Sequence, residues 1–423
     1  MRKVCFLYII ILLYAFSTSA QKIEMVSNPA IAGFSAERLK KIDNAMDEWA
    51  SAGWTNGSVG LIIRNGKIVY YKAAGYNDVE SKLAMPKDGI FRIASQTKAI
   101  TSVAVMMLYE EGKFLLDDRV SKYIPAFANQ KVIDKFNEAD TTYTTVAAKR
   151  QITIRDLLTH TSGIGYAQIG SKEAKAIYAK NNVTAGLDVK DDKLRDAMDR
   201  LGSLPLIYQP GTQWMYGLNV DLLGDLVELW SGMTLEDFFS ERIFKPLGMN
   251  DTYFNIPAAK ASRLVNLYIE DSLGQLNKAK GVTNSLDANF PLRKKNYFSG
   301  GGGLSSSIYD YAVFLQMLLN GGEYNGTQLL SRNTVRMMTT NQIGDINFGD
   351  NKFGLGFQLV TEKSAGNSPS NPGTFSWGGA FATSYWVDPK EKMVIVFYRQ
   401  LYNTSHGDLA DKFKVMAYSA LND

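Results

Sequence analysis

Apolar residues recur at three- and four-residue spacing at Leu39, Ile42, Met46 and Trp49, a stripe that predicts an amphipathic helix entered near Ser35. Strand-like runs follow at 58–63 and 68–71, and the Asn-Gly pair in Arg64-Asn65-Gly66-Lys67 between them suits a tight hairpin. Helical spacing returns at Ile100, Val103, Ala104, Met107 and Leu108, so a helix is expected over about 95–111, ended by Gly112. Near the other end, residues 353–360, 374–377, 383–387 and 393–399 are rich in β-branched and aromatic side chains, with Asn371-Pro372-Gly373 and Asp388-Pro389 as breaks. A last helix is expected over about 408–421. The stretch between, including 153–158, 222–230 and 235–239, reads as mostly helical and loop-rich.

Strands at both ends with helices between predict an α+β fold, an α/β sandwich. One antiparallel sheet is expected from segments of about 21–110 and 290–423, flanked by helices, with a mostly helical subdomain of about 111–289 inserted into it. Residues 129–150 are polar with weak periodicity and read as a loop, over the surface or at a site mouth. No internal repeat and no low-complexity tract is visible.

The N-terminus changes the picture. Arg2 and Lys3, an apolar run over 4–16 and the small residues Thr18-Ser19-Ala20 read as an export signal over 1–20, with the mature chain starting at Gln21 in the periplasm or outside the cell. An uncleaved anchor is the alternative; the run is short for a bilayer, and no comparable run follows, so no stable span is expected after signal removal. The one cysteine, Cys5, lies inside that signal, which leaves the mature chain without disulfides or thiol chemistry. The net charge is +4, and losing Arg2 and Lys3 leaves 44 basic against 42 acidic residues, so nothing argues for a nucleic-acid partner. The two histidines, His160 and His406, exclude a histidine-rich metal site and limit any serine-histidine-acid triad to one of them. No Gly-x-Ser-x-Gly elbow is present. No metal and no cofactor is expected.

Candidate chemistry concentrates at Ser95-Gln96-Thr97-Lys98, at the head of the predicted helix. A serine hydroxyl needs a base to become a nucleophile, and a lysine three positions on shares its helix face. The first turn also offers unpaired N–H groups and the positive dipole end to developing negative charge. The plainer reading is that Ser95 is an N-cap, and both can hold. The same spacing recurs at Ser19 and Lys22, across the predicted cut. The glycines Gly300 to Gly303 lack the Lys-Ser/Thr end of a phosphate loop and read instead as backbone passing close beneath the site and starting a helix.

Five ordered segments carry a resemblance: Arg92-Ile93-Ala94-Ser95-Gln96-Thr97-Lys98, Leu157-Leu158-Thr159-His160-Thr161-Ser162-Gly163, Pro210-Gly211-Thr212-Gln213-Trp214-Met215-Tyr216, Gly300-Gly301-Gly302-Gly303-Leu304 and Trp377-Gly378-Gly379. With them the chain resembles the serine β-lactamase and penicillin-binding-protein superfamily, in its class C-like branch with family VIII carboxylesterases and D-amino-acid peptidases. The resemblance implies Ser95 as the acylated nucleophile, Lys98 as its neighbouring base and Tyr216 as the tyrosine of a Tyr-x-Asn element; Tyr216 alone would read as an aromatic packed beside Trp214. A phenol and an ammonium, both with free pKa values of about 10, share protons when close and partly desolvated. Either Tyr216 as phenolate or Lys98 as free amine can then accept the serine proton.

The same resemblance places Trp377-Gly378-Gly379 where relatives carry Lys-Thr-Gly, with the N–H groups of Ser95 and Ala380 as the oxyanion hole. Trp377, Gly378, Gly379, Leu218 and Asn219 would contact substrate. His160 is expected to hydrogen-bond backbone near the site, and His406 to lie in a loop or at a helix start. Two departures bear on specificity: Tyr216-Gly217-Leu218 puts Asn219 one place late, and Trp377 replaces a cation. Both weaken recognition of a carboxylate-bearing substrate, so a small carboxylic ester is expected before a β-lactam or a D-amino-acid peptide. A non-catalytic or acylable sensor of cell-wall fragments and a histidine-dependent hydrolase are the rival readings.

Overall fold

The computed structural model describes residues 22–184, 187, 192–283 and 286–423. The predicted export signal, with Cys5, and the expected mature start at Gln21 lie outside the described residues.

The main sheet is built from β1 (Glu24–Met25), β2 (Gly57–Arg64), β3 (Lys67–Asp78), β4 (Leu83–Ala84), β5 (Lys352–Phe353), β6 (Gln358–Leu359), β7 (Phe375–Gly379), β8 (Thr383–Asp388) and β9 (Met393–Tyr398). Its order is β1-β3-β2-β9-β8-β7-β6-β5, with β4 on β3. The two ends of the chain meet where β2 pairs antiparallel with β9, Leu61 opposite Val396. The helices used below are α1 (Ala36–Ser51), α2 (Thr97–Glu110), α3 (Ile154–Leu158), α4 (Asn219–Ser231), α5 (Ile308–Leu319) and α6 (Leu409–Ser419).

Helices cover both faces of this sheet, a mixed α/β fold of the kind expected. On one face α1 and α6 bury Ile42, Met46, Trp49 and Phe413 against Ile62, Ile395 and Phe397. On the other, α2 and α5 pack Ile100, Val103 and Tyr311 against Leu61, Val396 and Tyr398. Coverage on both sides explains why β2 and β9 read as unbroken apolar runs rather than alternating ones. Helix α2 is buried from Thr97 to Leu108, so the sequence that follows Ser95 is the central helix of the molecule.

Four expectations change. Residues 129–150 are not a loop: Lys131–Phe136 and Tyr143–Ala147 form an antiparallel hairpin. Only Val132 of its two strands is fully buried, which is why the periodicity was weak, and the hairpin is held instead by Leu206, whose N–H and C=O bond Lys131 and Ile133. The segment 353–360 is two short strands rather than one, because Gly354-Leu355-Gly356 turns between them, with Gly356 at φ +96°. Helix α2 begins at Thr97, and Ser95 lies in the preceding 3-10 turn Ala94–Gln96. The glycine run leads first into the strand Ser305–Ser307, paired with Ile90–Arg92 and Thr252–Tyr253, and only then into α5.

Candidate active site

Ser95 is fixed by its neighbours. Ile93 N–H donates to Leu304 O (3.1 Å), Tyr311 OH donates to Gln96 O (2.9 Å), and Tyr398 OH donates to the Gln96 side chain (2.6 Å). Ala94 is held at φ +44°, an unfavourable region for a residue with a Cβ, so the turn that lifts Ser95 is strained and over-determined by these bonds. Of residues 91–100, Ser95 alone is not buried. Its side chain makes no cap bond to the helix, so the plain N-cap reading does not describe it.

Lys98 sits beneath it. Its Nζ donates to Gly301 O (2.6 Å) and Tyr166 OH (3.1 Å), lies 3.4 Å from Ser95 Oγ, and stands over the Tyr216 ring, 4.6 Å from its centre. Burial alone would lower the lysine pKa, but Tyr166, Tyr216 and the buried Asp221 outweigh it, and Lys98 is held above its usual value. The Tyr166 phenol is pushed up by burial. Gly301 reaches Lys98 only because it lacks a side chain: a Cβ there would lie 2.3 Å from Asp221 Oδ2 and 3.2 Å from Tyr166 OH. Asp221 itself accepts from Ser299 Oγ (2.6 Å) and Tyr297 OH (3.2 Å), and its carboxyl is pushed up by burial.

The predicted site residues divide into two groups. Ser95, Tyr216, Trp377, Gly378, Gly379 and Ala380 all line one groove of about 690 Å³. Trp377 Nε1 donates to Tyr216 OH at 3.4 Å, and the two rings stand 5.6 Å apart. Gly379 lets its strand close on the nucleophile turn, since a Cβ would meet Ile93 O at 2.3 Å. Leu218 and Asn219 are not in the groove. Leu218 is core, and Asn219 is fully buried, with Nδ2 donating to His160 Nδ1 (3.0 Å) and Oδ1 accepting from Ser162 Oγ. The amide one place late is thus turned into the protein, which corrects the expectation that these two residues contact substrate.

His160 is buried against Tyr216 (5.0 Å between rings) and accepts Met215 N–H on its backbone oxygen (2.8 Å). Burial, with Lys98 nearby, holds it well below its usual pKa, so it is a neutral spacer at pH 7. His406 stacks on Trp54 (5.1 Å). A larger concavity, about 750 Å³, lies along the hairpin and Asp117, Arg119 and Gln151, with no candidate nucleophile in it. Residues 129–150 therefore border their own cavity and not the Ser95 groove. Among the described residues no group of His, Asp and Glu is placed to hold a metal ion, and no helix is long and apolar enough to cross a membrane.

The Beta-lactamase family model matches residues 40–418. The chain belongs to the Beta-lactamase family. A relative from Escherichia coli (strain K12), named "Putative D-alanyl-D-alanine carboxypeptidase", is 32% identical over 96% of this chain and 92% of its own. Esterase EstB of Burkholderia gladioli is 28% identical over 84% and 88%. Among solved structures, EstCE1, a hydrolase with promiscuous acyltransferase activity, superposes with a TM-score of 0.76 over 92% of this chain and 99% of its own, at 24% identity. As a member of the Beta-lactamase family the protein is a serine hydrolase.

Within this Beta-lactamase chain, sequence reasoning missed Tyr166 and Asp221. Tyr166 follows three residues after the Thr161-Ser162-Gly163 turn, yet nothing local distinguishes it among 22 tyrosines. Asp221 lies on α4 two residues past Asn219, and an acid inside an apolar helical stripe was the available signal.

Proposed function

We infer that the protein is an exported serine hydrolase that works through an acyl-serine intermediate, with carboxylic esters as its first substrates. One observation carries the reading: Ser95 is the single open residue of an otherwise buried run, it faces a groove shared with Tyr216, Trp377 and Ala380, and Lys98 touches it from below.

Ser95 Oγ attacks the ester carbonyl carbon as its proton passes to the Lys98–Tyr216 pair. Lys98 Nζ lies 3.4 Å from Ser95 Oγ and over the Tyr216 ring, so the two side chains act as one proton-carrying pair beside the nucleophile. The carbonyl electron pair moves to oxygen, facing the N–H groups of Ser95 and Ala380. Collapse breaks the bond to the alcohol, and the alkoxide recovers the proton from the Lys98–Tyr216 pair. Water then attacks the acyl carbon, gives its proton to the Lys98–Tyr216 pair, and Ser95 leaves with that proton as the acid departs.

The indole of Trp377 in the groove and the inward turn of Asn219 support esters over peptides or β-lactams. The E. coli relative's printed name supports D-alanyl peptides as the second reading. A pure sensor has no need of an ammonium beneath the serine, which speaks against the binding-protein alternative.

The test is a panel of short-chain 4-nitrophenyl esters, a cephalosporin and a D-Ala-D-Ala peptide, assayed with wild type and Ser95→Ala, with intact-mass analysis after a fluorophosphonate. Ester turnover lost in Ser95→Ala and a single adduct on Ser95 are expected. Turnover of peptide alone selects the second reading, and an absent adduct removes the acyl-serine mechanism. Secretion of the full chain from a bacterial host, followed by N-terminal sequencing, is expected to give Gln21; an intact Met1 in the cytoplasm overturns export.

A further inference from the structure

The two N–H groups that face the oxyanion come from different parts of the chain, so their spacing is set by whatever joins those parts. Ser95 follows the strand Ile90–Arg92, and Ala380 sits in the turn Gly379–Ala382 between β7 and β8. Ala380 is exposed in the groove, Phe381 is fully buried, and Ala382 takes φ +60° with its N–H donating to Gly379 O (3.0 Å). Phe381 is therefore the anchor of the turn. It belongs to a small apolar cluster with Leu267, Leu286 and Ala94, the residue before Ser95.

Two buried polar side chains close on this anchor. The Arg92 guanidinium, on a residue only 3% exposed, lies over the Phe381 ring, 4.3 Å from its centre. Nη1 donates to Asp287 O (3.0 Å), and Nη2 is buried with no hydrogen-bond partner among the described residues, so the ring face compensates a charge that hydrogen bonds satisfy only in part. Gln400 acts as a strand in miniature: its Oε1 accepts from Arg92 N–H (2.6 Å), and its Nε2 donates to Arg92 O (3.5 Å). The backbone on either side of Gln400 holds the turn, with Leu401 N–H donating to Phe381 O (3.2 Å) and Arg399 N–H to Ala382 O (3.2 Å). Neither Arg92 nor Gln400 lines the groove.

We propose that Arg92 and Gln400 are positioning residues: by clamping Phe381 to the strand that leads into Ser95, they hold the Ala380 N–H at hydrogen-bond distance from the oxyanion. This rests on the serine-hydrolase reading and adds to it the residues that tune its transition state. An oxyanion donor acts only at the place where charge develops, and about 1 Å of misplacement costs on the order of 10²-fold. A loosened clamp therefore weakens the transition state and leaves ground-state binding alone.

The test compares wild type with Arg92→Met, Arg92→Lys, Gln400→Leu and Phe381→Leu on 4-nitrophenyl butyrate, and with a butyl trifluoromethyl ketone, whose hemiketal on Ser95 carries an oxyanion. Arg92→Met and Gln400→Leu are each expected to lower kcat on the order of 10–100-fold with KM held within about twofold, and to weaken the ketone by the same factor as kcat. Arg92→Lys, which keeps the charge over the ring, restores part of both. Arg92→Met combined with Phe381→Leu should cost no more than the larger single loss, since both break one stack. An unchanged kcat, a loss carried by KM, or single losses that simply add overturns the proposal. Deuterium uptake by the peptide 378–383 reads the clamp without turnover. It is expected to rise in Arg92→Met and Gln400→Leu while β2 and β9 stay level, and unchanged uptake overturns the clamp even in a protein that hydrolyses nothing. Wild type that neither turns over the ester nor binds the ketone fails the hydrolase reading instead. Circular dichroism and an unfolding curve confirm that the variants fold, and Arg92→Lys carries the comparison where Arg92→Met does not.

Discussion

Lys98 and Arg399 are both buried cations beside one groove, at 3% and 1% exposure, and their surroundings push them in opposite directions. Lys98 has a carbonyl, a phenol and the nucleophile within reach, and an aromatic face beneath its charge; it is held above its usual pKa. Arg399 has one carbonyl, and burial lowers it from 12.5 to about 10. The contrast teaches that burial alone does not set the sign of a shift: Tyr166, Tyr216 and Asp221 together outweigh it at Lys98, whereas Asp408 and Glu270 do not at Arg399. Around Lys98 the folded state favours the charge. That contribution is whole below pH 10.5 and fades as pH rises through the folded value. Around Arg399 the folded state disfavours the charge, a cost that is whole below pH 10 and relieved between 10 and 12.5.

The largest test of this contrast is Lys98→Met. Ester kcat/KM is expected to fall on the order of 10²–10⁴-fold, with about 1–3 kcal/mol of stability lost at pH 7 because the Gly301 carbonyl is left unpaired. A variant as active and stable as wild type would dissolve the contrast. Next come the two phenols. Tyr216→Phe is expected to cost about 10²–10⁴-fold in kcat as a member of the proton-carrying pair, and Tyr166→Phe on the order of tenfold, because it removes one of the lysine's acceptors. If steady-state kinetics reverse that order, Tyr166 takes the place of Tyr216 in the pair.

Gly301→Ala pushes a methyl against Asp221 and is expected to lower unfolding free energy by about 1–3 kcal/mol in urea titrations. Arg399→Met should be neutral or stabilising by up to about 2 kcal/mol at pH 7, the opposite sign to Lys98→Met. Clear destabilisation would show that Arg399 is already satisfied. The smallest effect is at His160, whose neutral form the fold favours. Its contribution is whole above pH 6.5 and declines as pH falls below it, by up to about 1.4 kcal/mol per pH unit. His160→Gln should flatten the stability curve between pH 6.5 and 5, and an unchanged slope removes this assignment.

How far the chain could be read from sequence follows the same division. The stripe at Leu39 to Trp49, the Asn65-Gly66 hairpin and the apolar helix after Ser95 are local patterns, and each appears as an element close to its expected place. The hairpin at 131–147 is not visible in the sequence because its first strand docks on Leu206, 74 residues beyond Val132, rather than through a buried face of its own. Ser95, Lys98 and Tyr216 were legible as a set through ordered motifs, and the structure brings them together. Asn219 was misread because spacing along the chain does not say which way a residue at the start of a helix points. The bond to His160 decided that.

Sequence by itself determined the elements whose apolar period repeats within a few turns, and the ordered motifs that name a serine chemistry. Tertiary structure alone decided the charge state beneath the nucleophile and the extent of the groove. Lys98 meets Gly301 across 203 residues, and Arg399 joins Ala382 through a strand turn. The electrostatic environment of a buried group is a sum over neighbours in space, and no local period encodes it.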